Sequence, residues 1–234
     1  MSLVVALFSA LGALRQITPP AVHPSRAQER AQSAPVLPLL VGSAEREVTL
    51  LELRANPGQW LGADVRLVLQ FRAVVEEWNP YLSRFGPREW LAFEAWPDEV
   101  FTWDSWVFEN PAARFFVRRG DSLSDVLRRS HAYQRFEAHA RVREAFLGEP
   151  WLEIVGLVPL EGEVGEGTIL HVGRARQCAL ERQWTLALEQ YERAKSAPLP
   201  PQALAAIEKE ILETREAQEH DERENPERAD EQQR

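Results

Sequence analysis

Cysteine is almost absent from this chain: Cys178 stands alone among 234 residues. A single thiol excludes an intramolecular disulfide and any metal site built from several cysteines, and its alanine- and leucine-rich helical surroundings read as those of a buried structural thiol. Lysine is nearly as scarce, with Lys195 and Lys209 set against 25 arginines. Such a bias reflects codon usage rather than chemistry, so a single arginine carries little functional weight. No apolar run reaches the length that spans a bilayer as a helix. The run over residues 1–14, MSLVVALFSALGAL, instead suits the apolar region of a signal peptide, with Ala10 and Gly12 as small residues for cleavage. Export to the periplasm or cell envelope is the expectation, and a cytoplasmic chain that keeps this segment is the alternative.

Catalytic signatures are missing as well. The sequence holds no phosphate-binding Gly-rich loop, no Gly-x-Ser-x-Gly elbow and no HExxH pair. Its five histidines, His23, His131, His139, His171 and His220, are scattered without the spacing of metal ligands. The expectation is a protein with no cofactor, no metal and no catalytic residue; an enzyme whose site combines distant residues is the remote alternative. The formal charge of −9 is concentrated at the end, where residues 216–234 carry eight carboxylates against three arginines. Residues 49–160 are themselves acidic, with 13 arginines against 16 carboxylates, which disfavours a nucleic-acid partner because phosphate neutralisation dominates such affinity.

What the chain does contain divides it into five stretches. Residues 1–14 are the apolar segment, and 15–48 form a Pro/Ala-rich linker broken by Pro19, Pro20, Pro24, Pro35 and Pro38. Residues 49–160 form the main domain, 161–218 a helical hairpin, and 219–234 a charged tail whose lack of apolar residues predicts disorder.

The main domain opens with Thr49 and Glu52 at the spacing of a capping box, predicting a short helix to about Ala55. Over 63–76 the residues alternate, placing Val65, Leu67, Leu69, Phe71, Ala73 and Val75 on one face of a long strand. Further strands are expected at 89–96, 113–118, 135–144 and 151–158, with a helix between 120 and 130. This order, with its helix between the third and fourth strands, resembles the OB-fold. The fold class is therefore expected to be α+β: a five-stranded Greek-key barrel followed by a small helical hairpin. The stretch LLELRANPGQWLGADVRL, residues 50–67, is similar to the start of bacterial OB-fold domains of the tRNA-anti-like kind. Helices are predicted over 168–181, 185–195 and 201–218. Ala187, Tyr191 and Ala194 there resemble the small–aromatic–small spacing of a tetratricopeptide second helix, with Ala175 at the facing small position. An isolated unit of that kind must pack on the barrel, on a partner or on another copy.

Two sets of residues are candidates for binding. Trp90, Trp96, Phe101, Trp103 and Trp106 belong to an aromatic concentration around the insertion at 97–111, which either caps the barrel mouth or presents a ligand surface. Arg66, Arg72, Arg135, Arg141 and Arg143 are expected to point outward from the strands, beside Trp90 and Phe116 as stacking platforms. The composition fits a non-catalytic binding or scaffold protein of the envelope that meets a protein partner through its C-terminal helices or its aromatic insertion. A single-stranded nucleic-acid binder is the alternative reading.

Overall fold

The computed structural model describes residues 45–78 and 84–224. The apolar segment 1–14, nearly all of the linker and the last ten residues of the tail lie outside the described residues.

The main domain begins as its capping box dictates. The Thr49 hydroxyl accepts from the Glu52 amide at 3.1 Å, and the Glu52 carboxylate accepts from the Thr49 amide at 2.8 Å. Two orphan donors of helix α1, Leu50–Ala55, are thereby satisfied. Donation from the Thr49 amide, and then from the Thr49 hydroxyl, holds the Glu52 carboxyl below the usual carboxylate range. Leu50 and Leu53 then point inward.

Strand β1, Arg46–Glu47, precedes α1. Strands β2 (Asp64–Val75), β3 (Trp90–Pro97), β4 (Ala112–Arg118), β5 (Arg135–Phe146) and β6 (Glu149–Pro159) follow. β2 pairs antiparallel with β3, β3 with β4, β6 with β5 and β5 with β2, while β4 runs parallel to β6. This cycle closes the sheet into a five-strand mixed barrel with the strand order of an OB-like fold, which removes the open edges that an untwisted sheet would expose. The two-residue β1 adds in parallel to the free side of β2, pairing Arg46 with Val65. It was not legible in the linker, where no alternation marks it.

The barrel interior is filled by alternate residues of each strand, including Val65, Leu67, Leu69, Phe93, Phe115 and Leu152. The expected inward face of β2 holds only as far as Phe71. A bulge between Phe71 and Ala73 shifts the register with β3, so Ala73 is exposed and Val75 packs on an aromatic cluster outside the barrel. Helix α3, Ser122–Arg129, sits between β4 and β5 as expected, capped by Asp121 and pressing Leu123 and Leu127 into the core.

The insertion after β3 carries the short helix α2, Ser105–Glu109. Beyond β6 come three helices: α4 (Glu166–Leu180), α5 (Trp184–Ala194) and α6 (Pro201–Glu224). Ala175, Tyr191, Ala194, Ala203 and Ile207 form their shared core, and Cys178 is half-buried on α4. Helix α6 corrects the expected start of the tail: residues 219–224 are helical. Asp221 accepts from Arg182 at 2.8 Å and from the Trp184 indole at 3.1 Å, and these bonds hold the last turns against α5. Among the described residues no helix is long and apolar enough to cross a membrane.

Candidate functional site

The helices dock on the outer face of the barrel, where Gln70 and Arg135 turn away from its interior. The Gln70 side chain donates to the Val164 carbonyl at 2.9 Å. Arg135, expected outward, is buried there: it holds Asp98 with two hydrogen bonds, 2.8 and 2.7 Å, and donates to the Glu161 carbonyl at 2.9 Å. Gln202 of α6 also donates to Asp98. The joint is tight enough to need a glycine: Gly162 has φ +75°, and a Cβ there would lie 3.0 Å from the Leu199 backbone.

The aromatic insertion divides its rings between the two bodies. Trp96 is sandwiched between Phe108 and Tyr133, with ring centroids 5.6 and 5.5 Å away, and its indole donates to the Phe108 carbonyl. Trp103 leaves the barrel altogether and enters the helical core beside Val172, Ala175 and Ile207. Phe101 stacks on it at 4.3 Å. Trp106 does neither, since it is 75% exposed on α2.

Phe101 and Trp103 form one wall of a groove of about 650 Å³ whose other walls are α4, the start of α5 and α6. Ala179, Ala206 and Ala217 keep it open, and Trp184 stands at one side. Arg176 grips Glu210 with two hydrogen bonds, 3.0 and 2.7 Å, and reaches Asp104 of the insertion at 2.6 Å. Those bonds to Glu210, and then the one to Asp104, raise the guanidinium pKa further above its ordinary value against the opposing effect of burial. Tyr191 donates to the same Glu210 carboxylate at 2.8 Å. Burial, then that hydrogen bond, pushes the phenol well above its usual value, so it acts as a neutral donor. The groove thus combines apolar lining, a fixed polar cluster, and the exposed Lys209 and Glu213.

The remaining candidates lie elsewhere. Trp90 is buried on the outer face of β3, edge-on to Phe85 at 4.8 Å and beneath the Arg118 guanidinium at 4.7 Å. Phe116, expected as an open platform, is covered by Phe85, whose ring stacks on it at 4.1 Å. Each arginine of the expected basic face meets a carboxylate. Arg66 pairs with Glu47 at 2.8 Å, Arg72 with Glu94, Arg141 with Asp64 at 2.7 Å, and Arg143 with Glu153 at 3.1 Å. Of both candidate sets, the fold brings together Phe101 with Trp103, and Trp90 with Arg141 and Arg143. Arg66, Arg72, Arg135, Trp96 and Trp106 join neither group.

Arg176, Trp184, Lys209 and Glu213 were missed as groove residues. Their only signal was helical periodicity, and the insertion that completes the site is some seventy residues away in sequence. Among the described residues no group of three or more His, Cys, Asp or Glu side chains could hold a metal ion. Compared with known protein families, curated proteins and solved structures, the chain matches none.

Proposed function

We propose that this chain is a non-catalytic binding or scaffold protein of the cell envelope, and that the groove between its aromatic insertion and its C-terminal helices receives a segment of another protein. The carrying observation is the groove itself: it is lined by Phe101, Trp103 and Trp184 and by small alanines, with one polar cluster fixed by Arg176, Tyr191 and Glu210. Pockets of this make-up, mostly apolar with a few held polar groups, are where ligands are oriented. The tetratricopeptide-like spacing of Ala187, Tyr191 and Ala194 agrees with this reading, since such helices present grooves to peptides. The tRNA-anti-like resemblance of residues 50–67 marks the barrel as the platform on which the groove is built. The apolar run 1–14 supports the envelope location. The nucleic-acid alternative draws little from the arginines, because their carboxylate partners cancel the charge that would release counterions.

The test is position-specific crosslinking in the native host, with a photoreactive residue in place of the exposed Lys209 of the groove, together with fractionation of the host cell. A discrete adduct in the envelope fraction is expected, and it should disappear when Trp184→Ala is added. An adduct that ignores Trp184→Ala, or a chain found wholly in the cytosol, would contradict the proposal.

A further inference from the structure

We infer that the far end of the barrel carries a second docking cleft, separate from the helical groove, which receives an acidic segment of a partner protein that bears an apolar side chain. The hairpin joining β5 to β6 points to it first. Its two turn residues, Leu147 and Gly148, have φ +53° and +74°. Two-residue hairpin turns with both φ positive favour asparagine or aspartate followed by glycine, because a larger side chain is crowded in the left-handed region. Here a leucine occupies the first position and is 75% exposed. Sterics and hydration both disfavour that choice, and a contact made by the leucine side chain would account for it. Phe146 and Leu61 beside it are also exposed, and both line the cleft below the turn.

That cleft encloses about 960 Å³ and is rimmed by Arg84, Arg118, Arg141 and Arg143. Each guanidinium is held at its root. Arg84 meets Glu144 through Nε at 3.1 Å, and Arg118 and Arg143 meet the one carboxylate of Glu153 through Nε at 3.3 and 3.1 Å. Arg141 reaches Asp64 through Nε and Nη2. The carboxylates are the buried partners: the Arg84 side chain is 91% exposed, against 15% for Glu144. The four guanidinium groups therefore stand outside their paired carboxylates, with Glu89 as the one exposed acid beside them. Pairing through Nε leaves the terminal nitrogens of Arg84, Arg118 and Arg143 for an incoming carboxylate, in the geometry that makes arginine a selective anion donor.

The same end of the barrel argues against a nucleic acid. Three of the rings that could stack on bases, Trp90, Phe116 and Trp151, are buried beneath Phe85, which leaves Phe146 as the single exposed ring lining the cleft. The other exposed apolar groups are aliphatic, at Leu61 and Leu147, and one ring cannot supply the succession of stacking platforms that a single strand uses. Carboxylates spaced around an apolar side chain match what is exposed.

A short fluorescein-labelled peptide of glutamates around a central leucine pair, titrated with the full chain at low salt and read by anisotropy, tests this. Saturable binding is expected, weakened about tenfold by Arg84→Ser and again by Leu147→Asn. The melting temperature should be unchanged by the first substitution and unchanged or raised by the second, since asparagine suits the turn. Trp184→Ala, in the groove, should leave peptide affinity intact, so that this inference and the groove reading fail independently. The inference is overturned by a lack of saturable binding, by parental affinity in either cleft variant, by loss of binding in Trp184→Ala, or by an oligothymidylate that displaces the label better than unlabelled peptide.

Discussion

The two concentrations of aromatic rings on the outside of this barrel have similar composition and opposite fates. Around Trp90, Phe116 and Trp151 the chain folds its own Phe85 down as a lid, fastened by the Trp78 indole to the Phe85 carbonyl at 2.8 Å and by Arg119 to the Pro87 carbonyl at 2.7 Å. Around the insertion, Trp96 is sealed, Trp103 is lent to a second hydrophobic core, and Phe101 is left half-covered on the wall of a groove. The first cluster thickens the barrel wall; the second joins two bodies and opens a site between them. Aromatic content alone marks neither outcome, because burial depends on what the rest of the chain brings to the face.

That contrast can be broken at the joint. Asp98→Ala removes the carboxylate that compensates the buried Arg135, leaving a charge that only backbone carbonyls face. Such a change is expected to cost about 3–5 kcal/mol, and its urea midpoint should fall accordingly. Replacing Gly162 has a smaller effect. Gly162→Ala forces an L-residue to φ +75° and drives a methyl against Leu199 and Pro200, for about 1–2 kcal/mol in the same measurement. An equivalent alanine at Gly58, where nothing lies within 4 Å and φ is ordinary, is the control that should show little change.

The difference between the two clusters also explains how much could be read from the sequence. The barrel was legible because Val65, Leu67, Leu69 and Phe71 alternate cleanly, and because a helix between the third and fourth strands is a local signature. The capping box of Thr49 and Glu52 was legible for the same reason, since it needs only a three-residue spacing. The bulge after Phe71 was not, because it depends on where β3 lies beside β2 and leaves the alternation itself undisturbed. Arg135 read as a solvent-facing residue of its strand, and it does leave the barrel interior; that the helices would cover it was a tertiary fact. The end of α6 was hidden likewise: residues 219–224 look like a solvated tail, and the bonds from Arg182 and Trp184 to Asp221 that tie them to the preceding helices are tertiary. Of the candidate site, the aromatic residues were named by composition, but the groove they wall could not be, since Arg176 and Asp104 meet across two elements distant in sequence.

The insertion fastens the helices to the barrel through Trp103, while the exposed Trp106 side chain, three residues away, adds nothing to the fold. Urea unfolding of the full chain, followed together by helical circular dichroism and by tryptophan fluorescence, tests it directly. Trp103→Ala should lose about 3–5 kcal/mol and make the helical signal melt ahead of the barrel, while Trp106→Ala should stay within about 0.5 kcal/mol of the parent with the two signals coincident. If the two variants unfold alike, the insertion does not fasten the helices to the barrel.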